Sequence, residues 1–240
     1  MNKEKLLDEN SKHALQSDNI IAITNRHLCS RPFMEQLERV CKLHPHAIVL
    51  REKDMPEAEY LSLARDVIAL CKKYDVQCML HSFINVAMEL EHPYIHLPLP
   101  ILEAYVKKNV SGNISTGMSK STDNYQQFFK VIGTSVHSVE DAIKAEQLGA
   151  TYMTAGPIFA TDCKKGLPPR GLDFLKNVCD AVGIPVYAIG GINIASSDDS
   201  TASDAPSTYD AVRDISVPRL ADVMKCGAAG GCIMSGMMRV

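Results

Sequence analysis

The chain has 240 residues, of which 46% are hydrophobic and 22% are charged, and its formal net charge is -3 at pH 7. This length can bury one sizeable core and lies near the size of an eight-unit α/β barrel, while the charge balance gives no basic surface for nucleic acid. No apolar run approaches the ~20 residues that cross a bilayer, and the polar residues 1–8 lack a signal-peptide core, so we expect a cytoplasmic protein with no membrane or nucleic-acid partner.

The eight cysteines are scattered along the chain and form no Cys-x-x-Cys pair. Several of them lie within apolar helix or strand patterns, which predicts reduced core residues and neither a disulfide framework nor a zinc site. Only Cys163 lies in a predicted loop beside lysines. An activated thiolate there is the less favoured interpretation, because no base or resolving cysteine is implied by its position.

In chain order, apolar strand patterns alternate with helical ones. Strands are predicted over 20–24, 47–50, 76–80, 94–97, 131–133, a stretch ending at Thr154, 184–189 and 232–234. Helices are predicted from Pro32, over 56–74, 84–90, 139–148 behind the cap Ser138, 172–182 and 217–226, with a helical turn over 102–106. This repetition favours a (βα)8 barrel that lacks its last helix, with a doubly wound open sheet as the alternative.

Three segments depart from this repetition within what we expect to be a single domain, 1–240. Residues 1–18 form an N-terminal extension of helical composition, 111–125 a polar loop, and 193–216 an insertion rich in Ser and Asp that we expect to be flexible, most of all over 195–212. A missing last helix would leave the outer faces of strands one and eight bare. We expect residues 2–16 to cover them, and a second subunit in a homo-oligomer is the other candidate.

Polar groups at the carboxyl ends of the predicted strands are the candidates for chemistry, because parallel α/β proteins bind ligands there. Arg51 and Lys53 are two positions apart, so both would project over the barrel mouth, and Lys164 follows another strand. Such charges are often only solvated surface, but their placement makes an anion site equally plausible. His137, with Ser135 nearby, is a candidate general acid/base because imidazole titrates near neutrality; His81 and His96 are weaker candidates.

Two glycine-containing turns, Gly190-Gly191 and Ser235-Gly236, follow strands seven and eight. In barrels these turns commonly cradle a phosphate, because small residues let backbone N–H groups approach the anion. The alternative is a tight turn without a ligand. No P-loop or Gly-x-Gly-x-x-Gly signature occurs, which disfavours nucleotide hydrolysis and dinucleotide binding, and the early turns supply no ready oxygen cage for Mg²⁺.

Four stretches of the chain resemble the thiamine-phosphate synthase/TenI superfamily of barrels. They are Leu-Arg-Glu-Lys at 50–53, Ser-Val-His-Ser-Val-Glu at 135–140, Gly-Pro-Ile-Phe-Ala-Thr-Asp-Cys-Lys-Lys-Gly at 156–166 and Pro-Val-Tyr-Ala-Ile-Gly-Gly-Ile at 185–192. The similarity covers about residues 20–235, and the 161–166 stretch is specific. The insertion at 193–216 and the missing last helix depart from it.

Two activities compete within this superfamily. The resemblance implies either a thiamine-phosphate synthase, which joins a pyrimidine pyrophosphate to a thiazole phosphate with Mg²⁺ held by aspartates after strands three and four, or a TenI-type thiazole tautomerase without that metal. Here His81-Ser82 stands where the synthases carry Asn-Asp, and the second aspartate falls at about Ile101. Val49 replaces the expected glutamine, and Cys163 replaces a threonine of the pyrophosphate loop. Loss of both carboxylates would leave a pyrophosphate leaving group without its cation.

These substitutions favour the tautomerase, which converts an exocyclic carboxythiazole phosphate to its aromatic form with no cofactor. The resemblance then implies that His137 moves the proton and that the substrate contacts Arg51, Lys53, Ser135, Thr161 and Lys164. The phosphate would bind near Gly190, Gly191, Met234 and Ser235. Synthesis with Mg²⁺ is the alternative, and a barrel that only binds a thiamine precursor is a third hypothesis.

Overall fold

The computed structural model describes residues 19–114, 128–161, 168–194 and 217–240. Four predictions concern residues outside these ranges: the packing of 2–16, the mobility of 195–212, and the roles of Cys163 and Lys164. The same holds for 115–125 of the predicted polar loop.

Eight parallel strands form a closed barrel in the order β1 to β8, which confirms the predicted barrel. They are β1 Ile20–Ile23, β2 Ala47–Leu50, β3 Gln77–His81, β4 Tyr94–Pro98, β5 Val131–Val136, β6 Tyr152–Ala155, β7 Val186–Ile189 and β8 Gly230–Ile233. The ring closes between β1 and β8, where Ile21 pairs with Cys232. This pairing excludes the open doubly wound sheet.

Seven α-helices lie in the described ranges, each following one of the first seven strands. They are α1 Phe33–Lys42, α2 Glu57–Lys73, α3 Ile84–Glu89, α4 Leu99–Ile114, α5 Val139–Gln147, α6 Gly171–Ala181 and α7 Leu220–Lys225. Helices α1 and α2 begin directly after Pro32 and Pro56, as predicted. The Ser138 side chain accepts a hydrogen bond from the Asp141 N–H at 3.0 Å, which confirms the cap of α5.

Helix α4 corrects the prediction of a helical turn over 102–106 followed by a loop from 111. It begins at Leu99, directly after β4, and continues to Ile114. Pro98 and Pro100 suggested a break, but Pro100 lies in the first turn of the helix, where its missing N–H has no intrahelical acceptor to lose. Leu102 is fully buried against the barrel, so packing overrides the weak local periodicity.

Strand β8 begins two residues earlier than predicted, at Gly230. Glycines carry no apolar signal, which is why the pattern began only at Cys232. A Cβ atom on Gly230 would overlap the backbone of Asn19, so this strand needs glycine where it passes the start of β1.

Two cores follow from the alternation of side chains along the strands. The inside of the barrel is filled by Ile21, Ile23, Ala47, Val49, Met79, Tyr152, Tyr187 and Cys232. A larger outer core lies between the sheet and the helices and includes Ile20, Ala22, Leu37, Leu50 and Val67.

The outer faces of strands one and eight are buried, and the expectation that residues 2–16 cover them concerns residues outside the described ranges. The outward residues Ile20, Ala22 and Ile233 are all buried. After β8, residues 235–239 form turns, here named the C-terminal turn, and Met237 and Met238 join the outer core. The Gln36 side chain of α1 donates a hydrogen bond to the Met237 carbonyl at 2.7 Å, which ties the C-terminal turn to α1.

Within the described ranges, no helix combines the length and apolar character that a membrane crossing requires.

Candidate active site

A cavity of about 520 Å³ opens at the carboxyl ends of the strands. Nine of the ten predicted site residues line it: Arg51, Lys53, Ser135, His137, Thr161, Gly190, Gly191, Met234 and Ser235. Lys164 lies outside the described residues. The topology thus brings together residues that are far apart in sequence, while the role of each residue stays a prediction.

His137 lies directly after β5, one residue before the cap of α5. Its Nδ1 atom is 2.7 Å from the carbonyl oxygen of Gly156, which follows β6. A carbonyl oxygen only accepts, so Nδ1 carries the hydrogen and donates it. No described residue bonds to Nε2, and the exposed ring lines the cavity. In the neutral imidazole, Nε2 is therefore the basic nitrogen offered to a ligand.

The segment after β2 carries two cations that line the cavity, Arg51 and Lys53, and between them in sequence a buried carboxylate, Glu52. Glu52, only 2% exposed, accepts hydrogen bonds from the Thr24 hydroxyl at 2.6 Å and from the Arg26 backbone N–H and guanidinium at 3.2 Å and 3.0 Å. Thr24 Oγ1 in turn accepts the Arg51 N–H at 2.8 Å. Side chains alternate along this segment, so Glu52 points away from the barrel interior toward Thr24 and Arg26, whereas Arg51 and Lys53 on either side of it line the cavity.

Asp54 completes the outer side of this turn. It accepts a bidentate pair from the Arg26 guanidinium at 2.8 Å and 2.7 Å, and His27 Nε2 lies 2.9 Å away. Hydrogen bonds from Arg26, and then from His27, lower the pKa of Asp54 below its ordinary value. The short 3-10 helix Arg26–Leu28 is thereby fastened to the turn that carries Arg51 and Lys53.

The turns after β7 and β8 form a glycine-rich wall of the cavity, here named the phosphate wall. Gly190 and Gly191 have φ values of 99° and 69°, in the left-handed region, and a Cβ on Gly191 would lie 2.5 Å from the Ala160 carbonyl oxygen. Among the described residues, the N–H groups of Gly191, Ser235 and Gly236 donate to no protein acceptor. Backbone N–H groups in this condition are suited to an anion. Asn193, which is not among the predicted site residues, accepts the Ser235 hydroxyl on its Oδ1 atom at 3.1 Å.

Two stacked histidines form the floor of the cavity on the β3 and β4 side. The ring centroids of His81 and His96 are 5.7 Å apart. Burial lowers the pKa of His81 to about 2 and that of His96 to about 3, and the nearby Arg51 and Lys53 add to both effects. Both rings are therefore neutral near pH 7.

The interior polar chain, defined as Tyr152, His96, Ser135 and Thr154, runs from the middle of the barrel to the cavity. The Tyr152 hydroxyl is 2.9 Å from His96 Nδ1, and His96 Nε2 is 2.9 Å from Ser135 Oγ. Ser135 Oγ is 3.0 Å from Thr154 Oγ1. The sequence pattern makes His96 only a weaker candidate and does not indicate Tyr152; the one available signal is a histidine within an apolar strand.

The residues after β3 and β4 do not fit the Mg²⁺ site of the synthases. Strand β3 ends at His81, followed by Ser82, and β4 ends at Pro98, followed by Leu99, so neither turn supplies a carboxylate. Glu103 lines the cavity but pairs with Lys144 at 2.8 Å, a hydrogen bond that lowers its pKa. Within the described ranges, no three His, Cys, Asp or Glu side chains are grouped as a metal would require.

A family model described as thiamine monophosphate synthase, TMP-TENI, matches residues 20–208. The chain belongs to the thiamine monophosphate synthase/TenI family. This membership assigns it to thiamine biosynthesis, in agreement with the resemblance of the four sequence stretches.

Relatives of this TenI-family chain carry synthase names. A protein of Aquifex aeolicus, provisionally named thiamine-phosphate synthase 2, is 36% identical over 173 residues, which cover 72% of this chain and 84% of the relative. The thiamine-phosphate synthase of Caldanaerobacter subterraneus is 30% identical over 175 residues, 72% of this chain and 75% of that one.

A solved structure supports the fold. Thiamine phosphate pyrophosphorylase from Pyrococcus furiosus superposes with a TM-score of 0.64 at 24% identity, over 92% of this TenI-family chain and 88% of that protein. At this identity the likeness concerns the barrel alone.

Proposed function

We propose that this chain is a metal-independent thiazole tautomerase, which aromatises an exocyclic carboxythiazole phosphate. The observation that carries the proposal is the pairing of two features in one cavity. His137 offers Nε2 to a ligand, and the turns after β3 and β4 lack the carboxylates that a metal-dependent coupling needs.

The reaction relocates one proton and leaves the composition of the substrate unchanged. His137 Nε2 accepts the proton from one ring carbon, and the resulting imidazolium returns it at the exocyclic carbon, so the enzyme ends in its starting state. The bond from Nδ1 to the Gly156 carbonyl holds the ring throughout and stabilises the imidazolium, because Nδ1 carries a hydrogen in both charge states.

The rest of the cavity binds the anionic parts of the substrate. The phosphate binds at the N–H groups around Gly190, Gly191, Met234 and Ser235. Arg51 and Lys53 line the cavity and attract the carboxylate. Ser135 and Thr161 complete the contacts, and Lys164 is assigned to the substrate from the family motif alone.

Thiamine-phosphate synthesis is the second candidate, and the names of the relatives favour it. That reaction would join the thiazole nitrogen to the pyrimidine methylene carbon and release pyrophosphate. It would need a cation held by groups other than those after β3 and β4, such as Asp141, which lines the cavity. A barrel that binds a thiamine precursor without turnover would use the same phosphate wall.

One pair of assays separates the three functions. In the first, the protein is incubated with the exocyclic tautomer in EDTA, and aromatisation is followed beside a His137→Asn control. In the second, it is incubated with pyrimidine pyrophosphate, thiazole phosphate and Mg²⁺. We expect conversion in the first only. Conversion no faster than the uncatalysed rate contradicts the tautomerase, coupling in the second supports the synthase, and thiazole phosphate binding without either reaction supports the binder.

A further inference from the structure

The interior polar chain contains one more hydrogen than its internal hydrogen bonds use. Its four members, Tyr152, His96, Ser135 and Thr154, each carry one hydrogen on a polar side-chain atom when the imidazole is neutral. Three contacts of 2.9, 2.9 and 3.0 Å join them in a row, and each contact uses one hydrogen. One hydrogen is therefore left over, and the direction in which the four side chains donate to one another decides at which end of the row it lies.

The barrel interior fixes that direction. The Tyr152 ring packs against Gly133, where a Cβ would overlap it, and burial raises the pKa of its phenol well above the ordinary value, so the hydroxyl keeps its hydrogen. Among the described residues, His96 Nδ1 is the one hydrogen-bond partner of that hydroxyl. If Nδ1 carried the imidazole hydrogen, the phenol hydrogen would be buried without an acceptor, which is costly.

The phenol therefore donates to Nδ1, and the imidazole hydrogen lies on Nε2. That N–H donates to Ser135 Oγ, and one further hydrogen joins Ser135 to Thr154. The leftover hydrogen then belongs to the Ser135 or the Thr154 hydroxyl. Both residues line the cavity.

We infer that Tyr152 and His96 are positioning residues that make the Ser135–Thr154 hydroxyl pair a hydrogen-bond donor to the ligand. The site then selects a ligand with an acceptor atom at this point, such as an unprotonated ring nitrogen or a carboxylate oxygen, and disfavours one that presents an N–H. The choice of thiazole phosphate as probe rests on the proposed function, whereas the direction of the hydrogen bonds in the interior polar chain does not.

The first experiment determines which nitrogen of His96 carries the hydrogen in the ligand-free protein. Long-range ¹H–¹⁵N correlation spectra of histidine-labelled protein distinguish the two neutral tautomers, and the signals of His96 are those missing from a His96→Gln variant. We expect the Nε2–H tautomer at pH 7. A His96 ring with its hydrogen on Nδ1 overturns the inference, whatever reaction the enzyme catalyses.

The second experiment measures the consequence for binding, by calorimetry with thiazole phosphate. We expect Tyr152→Phe to weaken binding about 3- to 10-fold, because His96 then no longer favours the Nε2–H tautomer. The same spectra should show a larger Nδ1–H population of His96. Tyr187→Phe is the matched control. Tyr187 packs edge-on against Tyr152 with ring centroids 6.0 Å apart, and it makes no hydrogen bond to any of the four members of the interior polar chain.

A double-mutant cycle separates positioning from general damage. In a Ser135→Ala, Thr154→Val background no hydroxyl remains at this point of the cavity, so Tyr152→Phe should change the affinity less than about 2-fold. An equal loss in both backgrounds contradicts the inference. If the wild-type protein does not bind thiazole phosphate at all, the proposed phosphate site is contradicted, while the tautomer measurement still decides the direction of the hydrogen bonds.

Discussion

The imidazole of His137 and the carbonyl of Gly156 join two consecutive βα units of the barrel, with 2.7 Å between Nδ1 and the oxygen. His137 follows β5 and Gly156 follows β6, so the ring orientation depends on both strands. The basic nitrogen is thereby held toward the cavity before any ligand arrives, which is the preorganisation that proton transfer requires.

The His137→Asn variant tests this arrangement. An asparagine amide can still donate to the Gly156 carbonyl, but it has no counterpart of Nε2. We expect kcat for aromatisation to fall about 10²- to 10⁴-fold, as for removal of a general acid/base, with KM changed less than about threefold. Steady-state kinetics in EDTA measure both. A variant with wild-type kcat would show that another group moves the proton.

The phosphate wall predicts that Gly191→Ala weakens anion binding. Alanine at this φ of 69° is strained, and its Cβ would also lie 2.5 Å from the Ala160 carbonyl oxygen, so the turn must shift. We expect at least a roughly fivefold rise in the Kd for thiazole phosphate, measured by calorimetry. Gly171→Ala is the control, because Gly171 has a φ of 80° and a Cβ added there would meet no atom within 4 Å. Equal effects of the two variants would mean that backbone strain, and not the phosphate wall, is responsible.

The stacked imidazoles of His81 and His96 predict that the protein loses stability as the pH falls below about 6.5. An unfolded histidine has a pKa of about 6.5, while His81 and His96 have pKa values of about 2 and about 3 in the fold. Between these values the unfolded chain binds more protons, so the free energy of unfolding falls with falling pH, by up to about 1.4 kcal/mol per unit for each group. Urea unfolding between pH 5 and 8 measures the slope. His81→Asn should reduce it, and an unchanged slope would count against a neutral buried His81.

Substitutions at Glu52 and Asp54 can be compared directly, because both carboxylates pair with Arg26 in the turn that carries Arg51 and Lys53. Glu52→Gln weakens the buried end of this network and should lower the free energy of unfolding by about 1–3 kcal/mol. Asp54→Asn alters an exposed pair that solvent screens, so it should lower the free energy of unfolding much less. Because Thr24 links Glu52 to the Arg51 backbone, only the first variant should also raise KM. Similar losses for both would show that burial of Glu52 contributes little.

The sequence predicts this fold well because parallel barrels repeat one simple pattern. Strand and helix alternate, proline or serine marks the start of α1, α2 and α5, and polar residues at the strand ends converge on one face. The pattern fails where tertiary contacts decide, as in α4, whose buried Leu102 outweighs two prolines and a polar continuation. It also gives no indication of the C-terminal turn, whose Met237 and Met238 join the outer core.

The candidate site divides in the same way. His137 and the glycine turns could be found because the chemistry requires particular residue types at strand ends. Tyr152 could not, because a tyrosine in a strand is ordinary core composition, and only the closed barrel brings its hydroxyl to His96. The bond between Gln36 and Met237 was equally invisible, since 201 residues separate the partners.

That bond between α1 and the C-terminal turn has a consequence for synthesis on the ribosome. The nascent chain emerges from its N-terminus at about 5–20 residues per second, so α1 waits on the order of 10–40 s before Met237 and Met238 are made. During that interval β1 has no β8 beside it, and its edge and outer face lack their final cover. Closure of the barrel must therefore wait until β8 has been synthesised, and until then one edge of β1 has no strand to pair with.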